Sequence, residues 1–128
     1  MIKGILNFTY VENTGGAYGI GSNNIVTFIV INVIIISVFM KFIISRINEI
    51  NIKELSAMSL IIAGGIGNLI DRIFRGYVID FIDINPVFKY PVFNIADICV
   101  VVGCIIIAID LIVNTIKSRK IGEVNEKI

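Results

Sequence analysis

The sequence predicts an all-α integral membrane protein, with three transmembrane helices and a small extracytoplasmic β-prone segment. Three observations lead to that class. Of 128 residues, 56% are hydrophobic and 16% charged, with a mean hydropathy of +0.91 that a soluble domain of this size seldom reaches. Three long apolar runs punctuate the chain, and the polar residues between them gather into two segments rich in Gly, Asn, Asp and Pro.

The first run, residues 25–40, has 16 uncharged positions; Phe42, Ile43 and Ile44 extend it past Lys41, whose stem reaches back toward the interface. The second, residues 55–70, is again 16 residues long and ends at Asp71-Arg72. At 1.5 Å per residue it covers about 24 Å, so flanking residues are needed to cross a hydrocarbon core of about 30 Å. The third, residues 98–116, is interrupted only by Asp110 and Asn114. The expected spans are therefore about 25–44, 55–72 and 97–116 within a single membrane domain, 1–128. No run reads as a cleaved signal peptide, because the first begins at about residue 25 without a basic leader.

Orientation follows from the basic residues. Lys41, Arg46, Lys53, Lys117, Arg119, Lys120 and Lys127 flank one side, while Lys3, Arg72, Arg75 and Lys89 are spread over the other. Residues 1–24 and the connection 73–96 are thus expected outside, and 41–54 and the tail 117–128 in the cytoplasm. The outer segments carry LNFTYV, a β-prone alternation, then the glycine-containing stretch 12–19, and YVIDFIDI followed by Pro86 and Pro91, which forbid a continuous helix.

Composition removes several function classes. With no His there is no His-dependent triad, no H-E-x-x-H zinc site and no His-ligated haem. Cys99 and Cys104, five apart in an apolar run, match neither a redox nor a metal pair and read as packing residues. A net charge of +1 gives no field for nucleic acid. No cofactor and no metal site is expected, and the environment is membrane lipid.

What remains is a set of polar residues that a bilayer makes costly. Asn94 and Asp97, three apart where the third span begins, share a helix face, as do Asn68 and Arg72, four apart where the second ends; these four converge if the two helices are antiparallel. Asp80 and Asp83 lie on the same outer side. Bland readings stand beside these: Asp97 as a helix cap, Asp71 as an anchor paired with Arg72, Asp110 as a partner of tail lysines, and Asn32 as a helix-to-helix hydrogen bond. Two carboxylates held about 3 Å apart cannot both ionise, so one is protonated and one basic, which equips a pair for aspartic-type hydrolysis. Proton relays and cation sites use the same residues.

Four blocks, YVENTGGAYGI at 10–20, GGIGNLIDR at 64–72, VIDF at 78–81 and FNIADICVVVG at 93–103, resemble the bacterial lipoprotein signal peptidases, signal peptidase II, in order and spacing. The resemblance runs from about residue 5 to 116. It implies an aspartyl endopeptidase of the bacterial cytoplasmic (inner) membrane, its active site on the extracytoplasmic side, that cleaves diacylglyceryl-modified prolipoproteins before the lipidated cysteine. By motif, Asp80 and Asp97 are the implied catalytic dyad, with Asn13, Gly15, Asn68, Arg72 and Asn94 supporting substrate or dyad. Asp71 is the rival for the first catalytic position. Where the family opens with a further helix bearing an Asp-Gln pair, this sequence begins at the segment ahead of the second. The alternative reading is a non-catalytic paralogue that binds lipopeptide or serves as a scaffold.

The topology is testable directly. Reporter fusions at Ile50 and at the carboxyl end should both report cytoplasm; translocation of either reverses the assignment.

Overall fold

The computed structural model describes residues 5–16, 20–21, 24–85 and 87–125, with side chains as far as residue 121. Lys3, Ala17, Tyr18, Gly19, Pro86 and Lys127, used above, lie outside the described residues. The elements follow in the order β1 (Asn7–Asn13), α1 (Ile25–Ser45), α2 (Ile52–Arg75), β2 (Val78–Asp83) and α3 (Ile95–Asn125).

All three helices are long and apolar enough to span a membrane. The 21 residues of α1 cover about 30 Å, the hydrocarbon thickness. It buries none of its residues within the protein, as expected where lipid is the solvent. The second helix, at 24 residues, is longer than the apolar run by about two turns. Asn51 caps it, accepting the N–H groups of Lys53 and Glu54 at 3.0 and 2.9 Å, and Gly76 ends it at φ 82°, a left-handed residue that costs glycine little. The outer connection accordingly starts at Gly76 instead of 73. The third helix begins two residues before the expected span and runs nine beyond it, through residues expected as a tail. Nothing from Lys117 to Lys120 breaks a helix, and Thr115 and Ser118 bond back to Leu111 and Asn114 carbonyls.

Helix α2 is the centre of the bundle, packing against both α1 and α3. Small residues set the spacing. A Cβ on Gly103 of α3 would lie 2.6 Å from the Ala57 carbonyl oxygen and 2.7 Å from Ile61 Cγ1, and one on Gly64 of α2 would meet the Ala96 carbonyl oxygen. Such close approach gains dispersion contact, which replaces the hydrophobic effect as the force between helices in lipid. On the α1 side, Asn32 Nδ2 donates to the Gly65 carbonyl oxygen at 3.1 Å, the helix-to-helix bond its isolated position suggested. Asp110 is bonded by Asn114 Nδ2 at 3.0 Å, one turn away, and not by a tail lysine.

The two segments expected outside contain more order than the sequence indicated. YVIDFIDI does not merely avoid helix; its central part is β2, antiparallel to β1 with Asn13 opposite Val78 and Val11 opposite Asp80, and a bulge between Phe8 and Val11. Opposite residues share a face, so Asn13, Val11, Val78 and Asp80 point the same way. On the other edge of β2, Phe93 exchanges backbone hydrogen bonds with Ile82 at 2.7 and 3.1 Å. The strand is thereby fixed between β1 and the entry to α3. At its far end, the Asn85 backbone N–H, the Asn85 amide and the Thr9 hydroxyl hold the Asp83 carboxyl below the ordinary range.

The close α2–α3 contact sets an expectation for stability. Gly103→Val should lower thermal stability in detergent by about 1–3 kcal/mol, since the added branch must displace the backbone of α2. Ala108→Val, at an exposed position of the same helix, should change it little.

Candidate active site

Five elements deliver polar side chains to one place, beside the C-terminal end of α2 and the N-terminal end of α3. The face of β2 that turns inward carries Val78 and Asp80, each 2% exposed; Asp80 and Asn94 are the buried polar side chains among the described residues. Burial of a carboxylate is tolerated only with partners. Asp80 has one on each oxygen: Asn94 Nδ2 donates to Oδ1 at 2.7 Å and Asn13 Nδ2 to Oδ2 at 2.9 Å.

Asn94 is the N-cap of α3. Its Oδ1 accepts the Asp97 N–H at 3.1 Å and Asp97 Oδ2 accepts the Asn94 N–H at 3.1 Å, a reciprocal capping box with aspartate in the third helical position. The second hydrogen of Asn94 Nδ2 goes to Asn68 Oδ1 at 3.1 Å, and Asn68 Nδ2 donates to Asp97 Oδ1 at 2.8 Å. The result is a continuous chain, Asn13 to Asp80 to Asn94 to Asn68 to Asp97. It joins β1, β2, α2 and the start of α3.

Charge follows from this geometry. Burial pushes the Asp80 carboxyl above its ordinary range; the Asn13 and Asn94 amides oppose that, the neighbouring Asp97 adds to it, and Arg72 opposes it. Asp80 therefore holds a proton more readily than an exposed carboxyl does. Asp97 sits in the first turn of α3, at the positive end of the helix dipole.

The sequence-derived residues divide into those that meet and those that do not. Asn13, Gly15, Asn68, Arg72, Asp80, Asn94 and Asp97 are brought together. Gly15 is buried, donates its N–H to Asn13 Oδ1 at 2.9 Å and offers its carbonyl to Arg72 Nη2 at 3.0 Å, so here it braces other site residues. Arg72 also donates to the Asn68 carbonyl at 3.4 Å, and its guanidinium carbon lies 5.3 Å from the Phe28 ring centre. Its Nε is buried and unpartnered among the described residues. Asp71 is elsewhere. Its Oδ1 takes Arg75 Nε at 3.0 Å and its Oδ2 the Ile79 N–H at 3.1 Å, which ties the end of α2 to β2. The expected local pairing with Arg72 is corrected to Arg75, because residues four apart stack on a helix and adjacent ones diverge.

Phe28 escaped the sequence reading. Its signal was the i, i+4 spacing with Asn32, which places both on the face of α1 turned to the site. A cavity of about 350 Å³ opens there, with Asp80, Asp97, Asn68 and Arg72 at its polar end and Phe28 and Val101 among its apolar walls. A second, apolar hollow of about 230 Å³ adjoins it, and Asp97, Tyr90 and Phe93 belong to both.

Fold and site together define a multi-pass membrane protein organised around two aspartates at the head of a helical bundle. Comparison with known proteins gives the family. The profile of the family described as Signal peptidase (SPase) II matches residues 1–113. The lipoprotein signal peptidase of Clostridium acetobutylicum is 39% identical over 126 residues, 97% of this chain and 80% of the relative. That of Staphylococcus aureus strain JH9 is 40% identical over 121 residues, 94% of this chain and 74% of its own length. A solved bacterial membrane enzyme superposes with a TM-score of 0.82 at 38% identity, covering 90% of this chain and 70% of the other; a second gives 0.75 at 39%, covering 87% and 72%. The chain belongs to the signal peptidase II family.

Proposed function

We propose that this protein is the aspartic endopeptidase that removes signal peptides from diacylglyceryl-modified prolipoproteins, cutting immediately before the lipidated cysteine, with Asp80 and Asp97 as the catalytic pair. The observation that carries the reading is the network itself: two carboxylates from successive elements, β2 and α3, linked by amides, at the polar end of a cavity whose other walls are apolar. The names of the relatives support a peptidase over a lipopeptide-binding scaffold. The distribution of basic flanks supports a site on the outer face of the bacterial cytoplasmic membrane, with the diacylglyceryl chains resting in lipid while the peptide enters between helices.

The chemistry needs no group beyond the pair and water. Ionised Asp97 takes a proton from a water molecule as its oxygen attacks the scissile carbonyl carbon. Protonated Asp80 donates to the carbonyl oxygen, and a tetrahedral diol forms. Transfer of the proton from Asp97 to the cysteine nitrogen lets the C–N bond break. The signal peptide leaves as a carboxylic acid and the lipidated cysteine as a free amine, with Asp80 reprotonated. Arg72, held by Gly15 and Phe28, contributes a fixed positive charge that favours the ionised state of the pair.

Cleavage of a synthetic diacylated prolipoprotein peptide, followed by mass spectrometry, tests the reading. Asp80→Asn and Asp97→Asn should each lower kcat by several orders of magnitude while substrate binding persists, and chelators should leave the wild type active. Asp71→Ala should instead cost about 1–2 kcal/mol of stability with cleavage retained, since it loses a strand anchor and not a proton donor. The proposed mechanism requires Asp80 protonated, so activity falls at high pH as Asp80 loses its proton, a limb that burial moves above the ordinary carboxylate range. Asn13→Ala removes a donor that favours ionised Asp80 and should move the alkaline limb to higher pH. An active Asp80→Asn enzyme beside a folded, inactive Asp71→Asn enzyme would overturn the choice of partner.

A further inference from the structure

Asn32 is one of the few polar side chains in α1, eight residues into a span that otherwise faces lipid and the cavity. Its bond to Gly65 accounts for only part of its capacity. The Gly65 carbonyl can only accept, so the amide is oriented with Nδ2 toward α2. No N–H or O–H of the described residues donates to Oδ1, and the residue lines the cavity among Phe28, Ile31 and Val101. An acceptor left open at membrane depth calls for a donor from elsewhere.

Its depth relative to the catalytic pair is fixed by α2. Asn68 bonds Asp97, and Gly65 lies three residues nearer the middle of that helix, about 5 Å further from the outer end. Asn32 is level with Gly65. An extended peptide rises about 3.3 Å per residue, so a chain with its scissile carbonyl at the pair passes Asn32 about one to three residues away, on the side that runs into the membrane. For the proposed substrate that side is the signal peptide. Residues next to a scissile bond must leave helical geometry to expose the carbonyl, and their N–H groups then lose their helical acceptors where no water replaces them.

We infer that Asn32 Oδ1 accepts a backbone N–H of the unwound signal-peptide segment, making Asn32 a substrate-recognition residue one turn below the catalytic pair. This rests on the peptidase reading. The bond fixes the register of the peptide independently of its side chains, as suits an enzyme that processes varied apolar segments. The Gly65 bond, by holding Nδ2, keeps Oδ1 turned to the substrate.

Depsipeptide scanning tests this. In a synthetic diacylated substrate, each of the three amides nearest the scissile bond on the signal-peptide side, excluding the scissile amide, is replaced in turn by an ester, which removes the N–H without adding bulk. Wild-type cleavage of the parent peptide tests the peptidase reading separately. One ester position should lose about tenfold in kcat/KM with the wild type, the worth of a neutral hydrogen bond in a dry site. With Asn32→Ala or Asn32→Leu the parent should lose a similar factor, and that ester should differ from it by less than about twofold. If Asn32 matters only through Gly65, both variants lose activity while the ester penalty persists, and the inference fails. Absence of any ester-sensitive position in the wild type overturns it without recourse to a variant.

Discussion

Asn94 uses every hydrogen-bonding position it owns. Its backbone N–H and side-chain oxygen close the cap of α3 with Asp97, its carbonyl accepts the Ile98 N–H at 3.3 Å, and the two hydrogens of its amide go to Asn68 and Asp80. The cap that starts a membrane helix is thus also the joint that holds the second carboxylate. Were Asn94 apolar, Asp80 Oδ1, Asn68 Oδ1 and the Asp97 N–H would all lose a partner. Each buried group so orphaned costs about 1–3 kcal/mol. The strand pairing, the helix start and the position of the dyad depend on one another through this residue.

The bilayer explains why the arrangement is built this way. Between helices in lipid there is no hydrophobic drive, and the bundle is held by close contact at Gly64 and Gly103 and by the Asn32 to Gly65 bond. Polar groups must therefore be satisfied inside the protein, and the side-chain amides of Asn13, Asn68 and Asn94 each bond more than one partner. The same scarcity of water raises the Asp80 carboxyl and strengthens the field that Asp97 feels from its helix. The fold gives two aspartates of one chemical type different surroundings, one on the inward face of a strand and the other at a helix amino end, and the proposed acid and base roles rest on that difference.

The helices were legible because apolar runs of sixteen residues or more have one outcome in lipid, and the convergence of Asn68, Arg72, Asn94 and Asp97 followed from spacings of three and four on helices that had to be antiparallel. The two-stranded sheet was half legible. LNFTYV alternates, but its partner lies some seventy residues away, and no local pattern states that YVIDFIDI pairs with it. The bulge and the Phe93 bridge are long-range for the same reason. Asp71 illustrates a local error: adjacency to Arg72 in sequence suggested a pair, and helical geometry gave the partner one turn on. Phe28 was hidden because an aromatic in a lipid-facing span has an ordinary explanation, and only the folded chain puts Arg72 over its ring.

The central claim is that burial within the amide network raises the carboxyl of Asp80, the proposed acid of the pair, above the ordinary carboxylate range. Infrared difference spectroscopy of the purified protein in detergent reads this directly, because a protonated carboxyl has a carbonyl band distinct from that of a carboxylate. As pH is lowered, the wild type should show a buried protonated carboxyl at a pH where ordinary carboxylates are still ionised, and Asp80→Asn should abolish it. A wild-type spectrum with no protonated carboxyl, or a band that survives in Asp80→Asn and disappears in Asp71→Asn, would contradict the account.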